Sequence, residues 1–240
     1  MSIRNLLFAV AAGYNSDSLT SEGQIALRTA SSQLADVLAP GLKVVTGGGQ
    51  GRATTTPWIA VLDPDETSTP QNGIYIVYIF KPTLDEVVLT LNQGITNRSE
   101  LAGIQSSRSL LAAESKVLRE ALSDSERKDL AVDVDFESSG WRQKGYSAGN
   151  ILARTYKIGD MPAEFVLVRD LLRFLALYES VLARKREILQ SKPGLLSLAA
   201  QRIQLDRAAL SMSSSRNRTL TMSKRCLDCN LLNRGGTRHW

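Results

Sequence analysis

The 240-residue chain has few of the side chains from which most active sites are built, with one histidine and two cysteines. His239 lies one residue from the C-terminus, so no Ser-His or Cys-His nucleophile pair is expected in the body of the chain. Two cysteines, Cys226 and Cys229, cannot form the disulfide framework of a small secreted domain. No apolar run approaches the ~18 residues that a membrane helix requires. These absences predict a cytoplasmic protein whose body binds a ligand without catalysis of its own.

The positive charge is concentrated near the C-terminus. The formal net charge is +5, but residues 201–240 hold eight basic and two acidic residues. Residues 1–200 therefore hold 21 basic and 22 acidic residues. We predict a binding domain at 1–190 and a helix with a basic tail at 191–240. Because the domain is nearly neutral, it must bind any polyanion through a local patch.

Residues 43–94 are the most strand-like part of the chain. Short apolar runs alternate there with Gly, Pro, Asp and Asn clusters, the pattern of consecutive antiparallel strands joined by tight turns. The predicted strands are 42–46, 57–62, 74–80 and 87–91, followed by 132–136 and 150–156 on either side of a loop at 138–149.

Helical periodicity marks the rest of the chain. It predicts an α+β fold, in which helices flank a central mixed or antiparallel sheet. In the longest helix, Phe165 and Leu172 are expected on the core face. One predicted helix is capped by Thr20 or Ser21 and ended by Pro40. The other predicted helices are 3–12, 98–122, 162–189 and 195–210.

A glycine-rich segment, Gly47 to Arg52, follows the first predicted strand. A nucleotide-binding P-loop would need a Lys-Ser/Thr pair after the last glycine, opening a helix. Here Arg52 leads into another strand, which argues against nucleotide binding. The glycines either let the backbone approach a ligand closely or make a flexible turn, and the residues alone favour neither.

Two aromatic residues on neighbouring predicted strands, Trp58 and Tyr75, are candidates for the walls of a slot. Tyr75 and Tyr78 are an odd number of residues apart, so they should point to opposite faces of the sheet. An aromatic slot beside an arginine-bearing loop suits an extruded base, which needs stacking and a phosphate contact. The alternative is that these rings are core residues, as strand aromatics usually are.

Three short motifs of this chain, by their order and spacing together, resemble the MrcB-like N-terminal domain family. That family is the DNA-binding domain of McrB-type modification-dependent (type IV) restriction. Two further segments also fit the family pattern: the glycine-rich segment, and the stretch from Lys144-Gly145-Tyr146 through Tyr156 to the Tyr178 helix. The resemblance therefore spans roughly 10–185. It implies an α/β domain that binds double-stranded DNA and flips a 5-methyl- or 5-hydroxymethylcytosine into a pocket. The motifs are Pro57-Trp58-Ile59-Ala60, Asn72-Gly73-Ile74-Tyr75 and Leu84-Asp85-Glu86-Val87-Val88-Leu89.

The same resemblance implies the site residues. Trp58, Tyr75 and Ile79 match the pocket positions, with Ile79 where the family pattern has leucine. The family has a tyrosine in the glycine-rich segment where this chain has Gln50. The implied partners are DNA containing modified cytosine and a nuclease subunit or fused module. Among phosphate contacts, Arg52 and the basic tail are expected to contribute most, and Lys43, Lys81 and Lys144 less. The expected wedge and backbone contacts are Gly49, Gln50, Gly51, Arg52, Lys81, Asn92 and Lys144.

Cys226, Cys229 and His239 supply half of a zinc site. They belong either to a basic tail with two free thiols or to the truncated start of an HNH-type nuclease module, and zinc is an expected cofactor only in the second case. Two other functions therefore stay open beside the DNA reader. One is a modification-dependent endonuclease, and the other is a protein-interaction adaptor that uses the sheet edge or the 162–189 helix.

Overall fold

The computed structural model describes residues 2–96, 103–137 and 140–191, and these contain six α-helices and a five-stranded sheet. The predicted α+β class is confirmed. The strands are β1 (Lys43–Gln50), β2 (Arg52–Leu62), β3 (Ile74–Phe80), β4 (Glu86–Gln93) and β5 (Leu152–Lys157). The helices are α1 (Ile3–Gly13), α2 (Glu22–Leu34), α3 (Ile104–Glu120), α4 (Asp124–Arg127), α5 (Trp141–Gly149) and α6 (Glu164–Ser191), with a 3-10 turn at Ile158–Asp160.

The described residues belong to the first of two units into which the chain divides, Met1–Pro193. The predicted helix 195–210 and the candidate zinc ligands Cys226, Cys229 and His239 lie outside the described residues. None of the described helices is both long and apolar enough to cross a membrane.

The sheet is a meander in which each strand pairs antiparallel with the next, in the order β1-β2-β3-β4-β5. The prediction had left a mixed sheet open, and no pair in this sheet is parallel. Trp58 on β2 is the register partner of Ile79 on β3, which in turn partners Val88 on β4. The register places these three side chains on one face, because directly opposite residues share a face.

The two faces of the sheet are covered differently. One face packs against buried residues of α1, α2 and α6, and it carries Ile59, Ile76 and Tyr78. The opposite face, called here the α5 face, carries Tyr75, Ile79 and a smaller cluster. The prediction that Tyr75 and Tyr78 point to opposite faces is confirmed. The cluster of the α5 face also contains Ala60, Leu62, Val77, Val88, Phe136 and Ala153, with half-buried Val45, Trp58, Val134 and Tyr146 packed on it.

The segment predicted as a strand at 132–136 is not a strand, because only Ala131 bridges Ala153 there. Phe136 instead packs over the α5 face, where it is buried. The predicted loop 138–149 contains helix α5. Its two glycines disfavour a helix locally, but they let it approach the sheet closely. A Cβ on Gly145 would collide with Ile95, and one on Gly149 would lie 2.6 Å from Asn92 Oδ1.

Helix α6 begins by closing the first turn of α1. The Glu164 carboxylate accepts hydrogen bonds from the backbone amides of Ile3 and Arg4, both at 2.8 Å. The first turn of α1 has no acidic residue of its own. A carboxylate at this position satisfies amides that a helix leaves unpaired and suits the helix dipole.

The prediction that Phe165 and Leu172 lie on the core face of α6 is wrong, because they are 71% and 49% exposed. The buried stripe runs through Leu167, Leu171 and Phe174 at helical spacing, which turns Phe165 and Leu172 outward. With Val168 they line an open groove of about 790 Å³.

Candidate nucleic-acid interface

The glycine-rich segment forms the tip of a hairpin that β1 and β2 extend beyond their pairing with β3. Gly47 partners Trp58, but the next pair is Gly49 with Ala53, so Gly48 alone faces residues 54–57 of β2. This bulge re-aims the end of the hairpin. We call residues 47–56 the hairpin arm. Its tip is the pair Gln50 and Arg52, joined through Gly51, and all three are exposed.

Two glycines of the arm have backbone conformations that other residues rarely adopt, with φ of +105° at Gly49 and +71° at Gly51. A Cβ on Gly49 would also lie 2.8 Å from the Ala53 Cα across the hairpin. These glycines therefore build a tight turn. The sequence left a flexible turn open as one of two alternatives. A flexible turn would lack the hydrogen bonds that hold the Gly48 and Thr54 carbonyls of this one.

Side chains from three helical regions tie the arm to the body. The Tyr14 hydroxyl, at the end of α1, lies 2.9 Å from the Gly48 carbonyl and 2.8 Å from the Thr54 carbonyl. Gln24 of α2 donates to the same Gly48 carbonyl at 2.6 Å. Burial raises the pKa of Tyr14, although its hydrogen bond to the Thr54 backbone acts in the opposite direction. The arm is thus held in place while its tip is free to contact a ligand.

The third tie comes from α5. Gln143 Nε2 donates a hydrogen bond of 3.0 Å to Thr56 Oγ1 at the base of the arm. Both side chains are buried, at 9% and 2% exposure. This bond joins α5 to the chain two residues before Trp58.

Trp58 lies at the root of the arm, against the backbone of β1. A Cβ on Gly47 would come within 2.6 Å of the indole Nε1 and closer still to neighbouring ring atoms. The indole of Trp58 can therefore occupy this position only because residue 47 has no side chain. The ring is only half-buried, and its register partner Ile79 is buried beside it. The structure thus brings two of the three predicted pocket residues together.

Tyr75 is on the same face but lies farther away. It is four residues along β3 from Ile79, which is roughly 13 Å of strand, and it is 3% exposed. Trp58 and Tyr75 are therefore not opposite walls of one narrow slot, which corrects that interpretation. The alternation of side chains along a strand predicted that Trp58 and Tyr75 share a face of the sheet, but it did not predict the distance between them.

Tyr146 of α5 is the other half-buried aromatic residue that packs on this face. Its ring meets Phe136 edge-on, with centroids 6.0 Å apart. Burial raises the pKa of Tyr75, and the nearby Tyr146 raises it further. Trp58 and Tyr146 thus both pack on the α5 face, Trp58 beside Ile79 and Tyr146 close to Tyr75 and Asn92. Sequence reasoning weighed Tyr146 as core and missed Thr56 and Gln143, although Lys144-Gly145-Tyr146 had been singled out.

The exposed cations near the arm are Arg52 at its tip and Lys144 on α5. Lys144 directly follows Gln143, so it lies beside the base of the arm. Arg142, on the other side of Gln143, is also exposed, and its guanidinium carbon is 5.0 Å from the Trp141 ring centroid. Lys43 is exposed at the opposite end of β1 from the tip.

Two of the expected phosphate contacts are corrected by the structure. Lys81 is 9% exposed and forms ion pairs with Glu86 at 2.6 Å and Glu137 at 2.5 Å. Burial lowers the pKa of Lys81, but the two carboxylates outweigh burial and leave it above the ordinary value. Asn92 is completely buried and donates to the Tyr146 carbonyl at 3.0 Å. The Lys81 ammonium is thus already paired with two carboxylates, and the Asn92 amide is buried inside the domain, so neither is a free phosphate contact.

The described ranges 2–96, 103–137 and 140–191 hold no cluster of three His, Cys, Asp or Glu side chains that could bind a metal ion. Zinc at Cys226, Cys229 and His239 remains a prediction.

A family model described as MrcB-like, N-terminal domain matches residues 17–183, well over half of the chain. No curated protein matches the chain.

Proposed function

The chain belongs to the MrcB-like, N-terminal domain family, and from this membership we propose that it reads a modified cytosine in double-stranded DNA by base flipping. The family supports the DNA-binding role in McrB-type restriction. The modification, 5-methyl or 5-hydroxymethyl, and the extrusion of the base are the proposed parts. A nuclease subunit or fused nuclease module would then act on the DNA that this domain has bound.

One observation carries the proposal: a half-buried indole, Trp58, lies at the root of a tied hairpin arm with an exposed tip. Extruding a base from a duplex costs a few kcal/mol, and stacking on an aromatic ring returns about 1–3 kcal/mol. Trp58 provides that ring. Because the arm is already ordered, little of the binding energy is lost in ordering it.

The tip of the arm supplies the contacts to the duplex. Gln50 has a carboxamide with both a donor and an acceptor, so it can bond to a base edge in the space that the extruded base leaves. The exposed cations Arg52 and Lys144 would contact phosphates near the extruded base. Gly49 and Gly51 allow the backbone of the arm to approach the DNA closely.

Ile79, buried beside the indole, makes the surroundings of Trp58 apolar, which favours a methyl group on the stacked base. Burying one methyl group is worth about 0.8 kcal/mol, or about a fourfold preference over unmodified cytosine. A hydroxymethyl group has the same carbon atom but adds a hydroxyl, which needs a hydrogen-bond partner when it is buried. The geometry therefore favours the methyl mark of the two.

The test is a fluorescence anisotropy titration of the full chain on matched duplexes that differ only in one cytosine: unmodified, 5-methyl or 5-hydroxymethyl. We expect the methylated duplex to bind at least about fourfold more tightly. Trp58→Ala should remove this preference. Phe165→Ala removes an exposed aromatic on α6, and it should change nothing.

Equal affinity of the wild-type protein for all three duplexes, or an unchanged preference in Trp58→Ala, would refute the proposal. The same samples separate the alternatives. An adaptor would bind none of the duplexes, and an endonuclease would cut the modified one once a divalent metal is added.

A further inference from the structure

A methyl contact alone cannot identify 5-methylcytosine, because every thymine in DNA carries the same methyl group. The two bases differ on the edge that flipping exposes. Cytosine presents an N4 amino donor where thymine presents an O4 acceptor. A reader that relies on Ile79 therefore needs a second group, a hydrogen-bond acceptor fixed in place beside the stacked base.

Gln143 is near enough to the stacking residue to provide that acceptor. It bonds to Thr56, whose Cα lies within ~7 Å of the Trp58 Cα because only two residues separate them. Gln143 also lies three residues before Tyr146 on α5, which places the two on the same side of the helix. Gln143 thus lies one helical turn before Tyr146 and is bonded to the strand residue two positions before Trp58.

In this structure the bond to Thr56 occupies the nitrogen end of the Gln143 amide. Its nitrogen donates to Thr56 Oγ1 at 3.0 Å, so its oxygen is the end left over for a ligand. Within the part of the chain that the structure describes, the Gln143 side chain makes no other hydrogen bond. An acceptor held in this way pairs with an amino group and repels a carbonyl oxygen.

We propose that Gln143 is the specificity-determining residue that accepts the N4 amino proton of the flipped cytosine, with Thr56 as the positioning residue that orients it. This inference rests on the proposed function of the α5 face. Gln143 would distinguish 5-methylcytosine from thymine, which the stacking on Trp58 and the apolar contact of Ile79 cannot do.

The experiment must equalise the cost of extrusion, so the tested base is placed opposite an abasic site in an otherwise identical duplex. The probes carry 5-methylcytosine or thymine at that position. For the full-length wild-type chain, we expect the 5-methylcytosine probe to bind about tenfold or more tightly than the thymine probe. Circular dichroism and thermal unfolding establish that each variant is folded.

The variants separate the two roles. Gln143→Leu should lower affinity for 5-methylcytosine to the thymine level, because the acceptor is lost. Gln143→Glu keeps an acceptor and should keep the preference. Thr56→Val frees the amide to turn its nitrogen outward, so the preference should fall through tighter binding of thymine. Gln71→Leu, at an exposed glutamine between β2 and β3, is the matched control and should behave as wild type.

The outcomes distinguish this inference from the proposed function. If the wild-type protein does not prefer methylated over unmodified cytosine in paired duplexes, the proposed function fails. If it does, but folded Gln143→Leu keeps the full preference for 5-methylcytosine over thymine, the role of Gln143 is overturned. A Thr56→Val variant with wild-type discrimination would overturn the positioning role.

Discussion

Replacing Gly47 with alanine should destabilise the protein only while Trp58 is present. Gly47 is not among the glycines with positive φ, so alanine fits its backbone. By itself that change should stabilise the protein by about 0.4–1 kcal/mol, because it restricts the unfolded chain. The added methyl group would however lie 2.6 Å from the indole Nε1 and nearer to other ring atoms. Overpacking of this kind costs about 1–3 kcal/mol.

The sign of the effect is therefore expected to change with the residue at position 58. In the wild-type background, Gly47→Ala should lower the free energy of unfolding by up to about 2.5 kcal/mol, the clash cost less the backbone gain. In a Trp58→Ala background the ring is gone, and Gly47→Ala should stabilise by about 0.4–1 kcal/mol. The coupling energy of this double-mutant cycle is then about 1–3 kcal/mol.

The cycle is measured by urea unfolding followed with far-UV circular dichroism, since tryptophan fluorescence would report on the mutated residue itself. Gly159→Ala is the control, because a Cβ there meets nothing within 4 Å, and its coupling to Trp58→Ala should be near zero. Additive effects of Gly47→Ala and Trp58→Ala, within about 0.5 kcal/mol, would mean that the indole does not lie on Gly47. Gly47→Ala should also weaken the preference for methylated DNA although Trp58 is intact, because the ring is displaced.

Three further predictions concern the arm and the core. Arg52→Gln should remove one phosphate contact and reduce the slope of log affinity against log salt by about 0.9, measured by anisotropy, whereas Arg186→Gln on the exposed side of α6 should leave the slope unchanged. Tyr14→Phe should cost about 1–3 kcal/mol and speed amide hydrogen exchange in the arm, and unaltered exchange there would show that the hydroxyl does not hold it. Burial raises the pKa of every one of the six tyrosines. A raised folded-state pKa gives stability that is complete below the unfolded value of about 10 and is lost as pH rises further. Tyrosinate absorbance and loss of the circular dichroism signal should therefore appear together above pH ~10, and tyrosinate formation in a protein that stays folded would contradict this.

The strands were predictable because their signal is local. Alternating β-branched and aromatic residues between turn formers defined β3 and β4 to within a few residues, and the odd spacing of Tyr75 and Tyr78 assigned their faces correctly. The α+β class followed from the same pattern.

The parts that were missed depend on contacts between distant residues. Helix α5 contains Gly145 and Gly149, which local propensity disfavours and close packing on the sheet requires. Lys81 is neutralised by Glu137, 56 residues later in the chain, so its exposure could not be judged from its own surroundings. The hairpin arm is tied by Tyr14, 34 residues from Gly48, and by Gln143, 87 residues from Thr56. Each of these is a tertiary effect without a local sequence signal.

The carboxylate of Glu164 at the start of α1 has a consequence for the order of folding. Its partner Ile3 precedes it by 161 residues, whereas the strands of the meander find their partners within a few tens of residues. At 5–20 residues per second, a ribosome makes Glu164 about 8–32 s after Ile3. During that interval the apolar stripe of α1, Ile3, Leu6, Leu7 and Val10, lacks the helix that closes over it. The newborn chain can pack this stripe on α2 soon after both helices are made, but its closure by Glu164 and α6 waits until α6 has emerged.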